Sequence, residues 1–483
     1  MGDREIALAH ASLAERQLAE GAYGPALESI LTALRLAPAI DRLWAQFGDL
    51  VRFFNFRHPA DPVREPLARA LEHPAVDPGD LVRPITSLAL SHPQGALAEP
   101  LLLRLLEDVV IRDAGLERLL TETRRKLLDA PLPLPVMTAI AHQCFNTEYV
   151  FDETAEERAR IERMRPSTPE EFAAYAAYRP IEGNPIASLA RRQIDEPGEE
   201  RRLAAEIPSI SDARSAVSAA VRAQYEENPY PRWIRLPAPI STEPTALSIL
   251  IAGCGTGQHA LSTARRFPNA HVLAVDLSRT SLGYAKRKTI ELGVRNIEYR
   301  QADILALSAL EERFDVIECS GVLHHMEDPY EGWRILRGLL KPGGRMRIGL
   351  YSELGRRAVV RARELIASQG YKPDAKGIRA CRAALRSRAE FQSIMRNEDF
   401  YSMSGCRDLL FHVQEHRFTL PQIEAMLARL ELRFQGFELA DSQTLARYRA
   451  RFKEDSCANW HRFEEEFPDT FSRMYQFWVQ PNQ

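Results

Sequence analysis

Three glycines at alternate positions follow an apolar run in the stretch ILIAGCGTG, residues 249–257. Glycine at Gly253, Gly255 and Gly257 allows a turn tight enough for a ligand to lie against backbone atoms, which any Cβ would displace. The pattern lacks the final glycine of GxGxxG, which brings a helix close under a pyrophosphate. The spacing therefore predicts a site for a nucleoside cofactor and argues against a dinucleotide such as NAD.

Acidic or small polar residues end the next three apolar runs of strand length. Asp276 ends AHVLAVD, where a carboxylate accepts hydrogen bonds from ribose hydroxyls, and Asp303 in YRQADIL suits an amino group such as that of adenine. Each acid alone is more often a helix cap, but the ordered set favours a binding site. The predicted cofactor contacts in these segments are Gly253, Cys254, Gly255, Gly257, Asp276, Leu277, Asp303, Ile304 and Ser320.

An aromatic segment, QYEENPYPRWIRL, precedes the first run. We interpret it as a cofactor lid or an interdomain brace, with plain packing of aromatic side chains as the alternative. The candidates are Tyr225, Tyr230, Arg232 and Trp233, of which Tyr225 and Arg232 are assigned to the cofactor site.

Two histidines, His324 and His325, follow the fourth run in GVLHHMEDP. A histidine with a pKa near neutrality can remove a proton from a nucleophile, which is worth roughly 10²- to 10⁴-fold in rate. Both are therefore candidate catalytic residues, with a structural role in the loop as the alternative.

A second polar cluster, His412, Glu415 and His416, lies in LLFHVQEHRF. On a helix these side chains would fall within about one turn, where His-x-x-x-His can hold a metal. The arrangement is not HExxH and no further ligand is evident, so we predict no metal. We expect these residues, with Tyr351 at the end of the fifth run, to face the substrate or to brace the segment.

The segment between the fifth run and this cluster is basic. Residues 356–388 contain ten Arg or Lys residues against Glu364 and Asp374. On a helix, Arg379, Arg382 and Arg386 share a face that could meet phosphate, so nucleic acid is a possible partner. A solvated face is the more common meaning of such a charge run, and we do not favour nucleic acid.

The elements that must position these residues alternate beyond Pro237. Apolar runs of strand length are separated by helical segments, which is typical of a parallel sheet covered on both faces. The predicted fold class is α/β, a Rossmann-like, doubly wound, mostly parallel sheet. In such sheets ligands bind at the carboxyl ends of the strands, where the strand order reverses, and the candidate residues lie there.

The chain before this domain has helical periodicity and few strand signals. Within it, five residues have the relative spacing of one tetratricopeptide repeat (TPR): Gly21, Tyr23, Ala26, Ala33 and Pro38. An unrelated helical hairpin is the alternative. We predict an all-helical, TPR-like domain with a linker over 1–211 and an α/β domain over 212–483. The latter divides into a cofactor core at about 247–351, a helical substrate insertion at about 352–417, and a final helix and strands at about 418–483.

Composition narrows the setting but selects no partner. The 483 residues are 45% hydrophobic and 27% charged, with a net charge of -3, as in ordinary globular proteins. The six cysteines show no CxxC or repeated spacing, so we expect neither a disulfide framework nor a zinc ribbon. We see no apolar signal core and no run of about 18 apolar residues, so the expected location is the cytoplasm, without membrane contact.

The motifs ILIAGCGTG, AVDLS, QADIL, FDVIECSGVLHHMEDP and LKPGGRMRIGLY together resemble those of class I S-adenosylmethionine-dependent methyltransferases. The N-terminal helices are similar to those of bacterial proteins that join a TPR-like domain to such an enzyme. The resemblance implies S-adenosylmethionine as cofactor, with the glycine loop under its methionine part, Asp276 at the ribose and Asp303 at the adenine.

The resemblance leaves the methyl acceptor unidentified. A protein or small molecule is favoured, and the N-terminal helices could bind a protein partner. The alternatives are an RNA methyltransferase that uses the basic insertion, and a scaffold that binds the cofactor without turnover.

Overall fold

The structure is a computed structural model that describes residues 2–56, 61–91, 93–183, 186–439 and 442–482. The chain divides into two compact units. The first comprises residues 1–196, 232–242 and 400–403, and the second comprises residues 197–231, 243–399 and 404–483. Among the described residues, no helix combines the length and the apolar character needed to cross a membrane.

The first unit is built from helices. Their bounds are α1 Asp3–Ala19, α2 Tyr23–Leu36, α3 Asp41–Val51, α4 Asp61–Glu72, α5 Val82–Leu90, α6 Pro100–Asp108, α7 Ala114–Lys126, α8 Leu134–Asn146, α9 Ala155–Arg163, α10 Pro169–Ala176 and α11 Ala187–Ala190. Apolar side chains spaced three or four apart, such as Ala26, Ile30 and Ala33 of α2, are buried between neighbouring helices.

The proposed repeat falls on a helical hairpin, in which α1 contacts α2 and α2 contacts α3. Gly21 has a φ of 76° in the turn between the first two helices, a conformation that favours glycine. Ala26 and Ala33 are buried, as small residues at a helix crossing must be. The TPR assignment stays a prediction, because a single hairpin of this kind is also found outside such repeats.

The second unit contains a seven-stranded sheet and its covering helices. The strands are β1 Ser248–Ala252, β2 His271–Asp276, β3 Ile297–Gln301, β4 Phe314–Ser320, β5 Leu340–Leu350, β6 Leu432–Phe437 and β7 Tyr475–Pro481. The helices are α12 Glu196–Ala205, α13 Ala216–Glu227, α14 Gln258–Arg266, α15 Arg279–Glu291, α16 Pro329–Gly338, α17 Arg357–Gln369, α18 Ala375–Arg386, α19 Gln392–Met395, α20 Met403–Phe411, α21 Leu420–Arg429, α22 Ser442–Arg449 and α23 Cys457–Glu466.

The strand order is β3-β2-β1-β4-β5-β7-β6. β1 pairs in parallel with both β2 and β4, so the chain reverses direction along the sheet at β1, whereas β7 is antiparallel to β5 and β6. Both faces are covered: Ile249 and Ile251 enter one apolar core, and Leu250 enters the other. The predicted doubly wound, mostly parallel sheet is confirmed.

The boundary between the units differs from the predicted one at residue 211. The second unit begins at Pro197, because α12 lies against α15. Gly283 of α15 is so close to α12 that a Cβ there would overlap the Glu200 carbonyl oxygen. The side chain of Glu200 also accepts a hydrogen bond from Arg287 Nε at 2.8 Å. Residues predicted to be a linker therefore form part of the α/β unit.

The segment that holds His412, Glu415 and His416 is not helical, which corrects our prediction. α20 ends at Phe411, and the chain then runs in extended form to α21. Backbone hydrogen bonds to the sheet edge replace helical ones: His416 N donates to His324 O at 2.7 Å, and Phe418 N donates to Tyr351 O at 2.9 Å. The spacing of the two histidines therefore does not place them on one face.

Candidate active site

A cavity of about 350 Å³ opens at the carboxyl ends of β1 to β4 in the second unit. Its size is that of a small-molecule site, and it lies where the strand order reverses. The predicted residues that line it are Gly253, Cys254, Gly255, Asp276, Leu277, Asp303, Ile304, Ser320, Tyr225, His325 and Tyr351. The predicted residues outside its lining are Gly257, Arg232, His324, His412, Glu415 and His416.

The three glycines are required by the protein's own packing, and this corrects our reason for them. All three have positive φ, at 78°, 53° and 82°. A Cβ at Gly253 would overlap Val322, and one at Gly255 would overlap the carbonyl oxygen of Tyr230. A Cβ at Gly257 would come within 2.6 Å of Ala285 Cβ in α15. Gly253 and Gly255 still border the cavity, whereas Gly257 serves the contact between α14 and α15.

Asp276 links the glycine loop to the end of β2. Its Oδ2 accepts a hydrogen bond from Gly255 N at 2.8 Å, and its Oδ1 accepts one from Ser278 N at 2.9 Å. Burial raises the pKa of Asp276, and these two amides oppose that rise. A carboxylate has about four acceptor positions, so each oxygen keeps a lone pair for a ribose hydroxyl.

Asp303 caps a short helix and also holds the chain segment before α13. Its Oδ1 accepts from Leu305 N at 2.9 Å, which caps a short 3₁₀ helix, and its Oδ2 accepts from Arg214 N at 2.8 Å. The second bond holds the chain just before α13 at the rim of the cavity, where Ser218 and Val221 line it. Asp303 is therefore both a helix cap and a residue of the cavity wall.

The aromatic segment divides between the two units. Tyr225 and Tyr230 line the cavity with rings stacked 6.4 Å apart, and Thr256 Oγ1 donates to Pro231 O at 2.6 Å beside the glycine loop. Arg232 belongs to the first unit, where its guanidinium lies 5.3 Å from the centre of the Phe145 ring. We therefore no longer assign Arg232 to the cofactor.

The two candidate catalytic histidines have different surroundings. His324 is fully buried, and its ring stacks on Tyr351 with centroids 3.8 Å apart. His325 lines the cavity, and its Nδ1 lies 2.7 Å from Gln414 O. Burial lowers the pKa of both rings well below the usual range, so both are neutral at physiological pH. Of the two, only His325 can touch a ligand in the cavity.

The predicted substrate residues brace the insertion. Glu415 is buried and forms ion pairs with Arg356 and Arg363. His416 Nε2 lies 3.1 Å from Met326 O, and His412 Nε2 lies 3.1 Å from the Tyr225 hydroxyl. Of the four predicted substrate residues, only Tyr351 lines the cavity. His412 is connected to the cavity wall through its contact with Tyr225.

Asp408 on α20 is the residue that sequence reasoning missed. It is 3% exposed, lines the cavity, and accepts a hydrogen bond from the Tyr225 hydroxyl at 2.6 Å. Helical spacing could not have found it, because α20 ends at Phe411 and His412 lies beyond the helix. His259 and Glu318, which are hydrogen bonded at another wall of the cavity, were missed as well.

Comparison with known proteins identifies the central part of this unit. Residues 249–344 match the family model described as a methyltransferase domain. The chain is 39% identical over 120 residues to the uncharacterized protein syc1184_c of Synechococcus sp., which covers 25% of this chain and 29% of that protein. It is 37% identical over 99 residues to the ubiquinone biosynthesis O-methyltransferase of Azotobacter vinelandii, covering 20% and 41%. The chain thus spans less than half the length of these relatives.

Solved structures give matches of partial extent. PKMT2 from Rickettsia typhi aligns with 17% identity and a TM-score of 0.40 over 50% of each chain. Magnesium protoporphyrin IX methyltransferase from Synechocystis aligns with 13% identity and a TM-score of 0.29, covering 59% of this chain and 94% of that chain.

Proposed function

We propose that the chain transfers a methyl group from S-adenosylmethionine to an acceptor bound beside α20, because residues 249–344 match the family model of a methyltransferase domain. The observation that carries the proposal is that one cavity is lined both by Gly255, Asp276 and Asp303 and by two residues that can accept a proton. These two residues are His325 and Asp408. Cofactor-binding groups and proton-accepting groups thus border the same space.

The residues present fit the cofactor. Asp276 retains lone pairs toward the cavity for ribose hydroxyls, and Leu277, Ile304 and Val221 offer apolar walls for a flat adenine. The glycine loop places backbone atoms of Gly253 and Gly255 at the cavity without side chains in between. The cofactor supplies an electrophilic methyl group on a sulfonium, so the protein needs no covalent intermediate.

The chain's own residues then have three tasks. The loop and Asp276 hold the donor, and α13 and α20 contribute side chains to the cavity wall. The walls near His325 and Tyr351 align the acceptor with the methyl group, because proximity and orientation supply most of the rate. A polar side chain at the cavity takes the acceptor's proton where one must leave.

We favour a small molecule or a protein as the acceptor. The ubiquinone biosynthesis O-methyltransferases match only about a fifth of the chain, so their acceptor is not transferred to it. The RNA alternative is weakened because several arginines of the basic insertion are engaged inside the protein. Arg356 and Arg363 form ion pairs with Glu415, and Arg382 is fully buried. We propose the cytoplasm as the location.

We also propose that the first unit binds a protein partner. An aromatic pair, Tyr23 and Phe53, is 43% exposed at each residue, with ring centroids 5.7 Å apart. Exposed aromatic side chains of this kind are common anchors in interfaces. Loss of a co-purifying protein in the double variant Tyr23→Ser with Phe53→Ser would support this role, and an unchanged set of co-purifying proteins would refute it.

Calorimetric titration with S-adenosylmethionine and S-adenosylhomocysteine tests the first step. Incubation with the methyl-labelled cofactor and cell extract, fractionated into protein, RNA and small molecules, tests the second. Binding with label in one fraction supports turnover and names the acceptor class. Binding without label favours the scaffold alternative, and absence of binding refutes the proposed function.

A further inference from the structure

A chain of hydrogen bonds at the cavity wall connects α13 to α20. The Tyr225 hydroxyl lies 2.6 Å from Asp408 Oδ1 and 3.1 Å from His412 Nε2. All three side chains are buried or half-buried, and Tyr225 and Asp408 line the cavity. A buried carboxylate that also borders the cavity is a group whose proton state a ligand can change.

The neighbouring backbone determines which way the protons point. Gln414 N donates to His412 Nδ1 at 3.2 Å, so in the neutral ring Nε2 carries the proton and donates to the Tyr225 oxygen. The Tyr225 O–H is then directed to Asp408, where the distance is shortest. On the other side, Gln414 O lies 2.7 Å from His325 Nδ1, which must donate, leaving His325 Nε2 as an acceptor. The series from Gln414 N through His412 and Tyr225 therefore ends at Asp408 as an acceptor of hydrogen bonds.

The same residues do not form a cation site. Ligand atoms of His325, Asp408 and His412 lie within 4.8 Å of one another, which suits a metal by distance alone. However, the rings of His325 and His412 stack with centroids 3.5 Å apart and planes 16° apart, so each lone pair lies in one of two nearly parallel planes and the two do not converge on one ion. The proton on His412 Nε2 also occupies the atom that would face a cation.

Charged and titratable groups reach Asp408 from every element around it. They are Tyr225 and Tyr230, His325, Tyr351, Arg356, Arg363, Asp399, His412 and Glu415. Of these, the tyrosines have raised pKa values and the two histidines lowered ones, so all are uncharged near neutrality. Arg356 is paired with Glu415. Burial, together with Asp399, raises the pKa of Asp408 to about 7. A base with a pKa close to the working pH is the most effective in proton transfer.

We propose that Asp408 is the general base of methyl transfer, and that the acceptor is a hydroxyl or amine that donates a hydrogen bond to it. This inference rests on the proposed function. As the acceptor oxygen or nitrogen forms its bond to the methyl carbon, the carbon–sulfur bond breaks and its electrons return to sulfur. The acceptor's proton passes to Asp408, which later releases it to water. Tyr225 and His412 are positioning residues that hold the carboxylate.

The cavity wall also selects against anions. A carboxylate or phosphate acceptor has no proton to give at neutral pH and would face Asp408 at close range. The cations that interact with Asp408, Arg356 and Arg363, are both held by Glu415, and Arg347, which lines the cavity, is held by Glu438. We therefore infer a neutral or cationic acceptor.

The test compares full-length wild type with Asp408→Asn in the labelled-cofactor assay, using the cell-extract fraction that wild type labels. Glu390→Gln is the matched control, because it makes the same carboxyl-to-amide change at an exposed insertion residue that does not line the cavity. We expect Asp408→Asn to keep cofactor affinity within about threefold and to lose at least about 100-fold in labelling rate. The wild-type rate should rise about tenfold per pH unit below about pH 7, and the variant's profile should be flat there.

Equal labelling by wild type and Asp408→Asn would overturn the inference while leaving the proposed function intact. Absence of labelling by wild type would overturn both. Because Asn could disturb the helix, ¹³C spectra of carboxyl-labelled aspartate in the full chain give a second readout, with Asp408→Asn identifying the signal. We expect the titration midpoint of the Asp408 carboxyl to be near 7 in wild type and to rise in Tyr225→Phe, because the lost hydrogen bond stabilises the ionised carboxylate. A midpoint that falls in Tyr225→Phe would contradict the assignment of Tyr225 as a donor to that carboxylate.

Discussion

Replacement of Asp408 by Asn should change how stability depends on pH. The folded protein raises the pKa of Asp408 from 3.8 to about 7 by burial, so between these values the native state holds a proton that the unfolded chain has lost. The stability associated with this group is complete below about pH 4 and is lost as the pH rises to about 7. Over about three pKa units, at about 1.4 kcal/mol each, the wild type loses about 4 kcal/mol that Asn does not.

Urea unfolding followed by tryptophan fluorescence measures this difference. Trp333, Trp460 and Trp478 lie in the second unit and Trp44 and Trp233 in the first, so fluorescence follows both units, and the comparison is made at the transition that differs between wild type and Asp408→Asn. Between about pH 5 and pH 8 the free energy of unfolding of Asp408→Asn should rise by about 3 kcal/mol relative to wild type. Any constant cost of the altered bond to Tyr225 cancels in this comparison. A difference between the two proteins that is the same at both pH values would refute the assignment of a raised pKa to Asp408.

Three further predictions concern the loop and the insertion. Gly255→Ala combines a left-handed φ with overlap of the Tyr230 carbonyl, so we expect a loss of about 2–3 kcal/mol in unfolding free energy, visible as a lower urea midpoint; an unchanged midpoint would mean that the loop readily moves. Asp276→Ala should weaken S-adenosylmethionine binding at least about tenfold in calorimetry and Asp276→Asn less, whereas equal affinity in all three proteins would remove Asp276 from the site. Arg356→Met leaves Glu415 buried with weaker partners and should cost about 3 kcal/mol, part of which returns when Glu415→Leu is added; no recovery in the double variant would contradict the buried pair.

The fold, and the glycine and aspartate residues that line the cavity at the strand ends, could be predicted from the sequence because both depend on local order. Strand-length apolar runs followed by glycine or aspartate predict strand ends, and parallel strands bring those ends to one edge. Gly255, Asp276 and Asp303 therefore lie together although they are far apart in the chain. What the glycines contact was not readable, since Val322 and Ala285 approach them only in the folded sheet.

The side of the cavity formed by α13 and α20 depends on tertiary contacts that leave no periodic signal. Asp408, on a helix that follows the cofactor core in the sequence, is hydrogen bonded to Tyr225, which precedes that core. No sequence pattern near either residue predicts this contact. The helical reading of His412 to His416 was wrong for a related reason. Pairing of this segment with His324 and Tyr351 satisfies its backbone groups, and that gain is invisible to a pattern based on spacing alone.

The first unit contains chain segments that are synthesised long after its helices. Ala238 N donates to Pro74 O, and Met403 N donates to Thr147 O, so residues made long after the helices belong to the same unit. On the ribosome the N-terminal helices form first, yet their unit stays incomplete until residue 403 has emerged. The helical unit is thus finished only after strands β1 to β5 have been translated, and a nascent chain released before that point exposes apolar surface to chaperones and proteases.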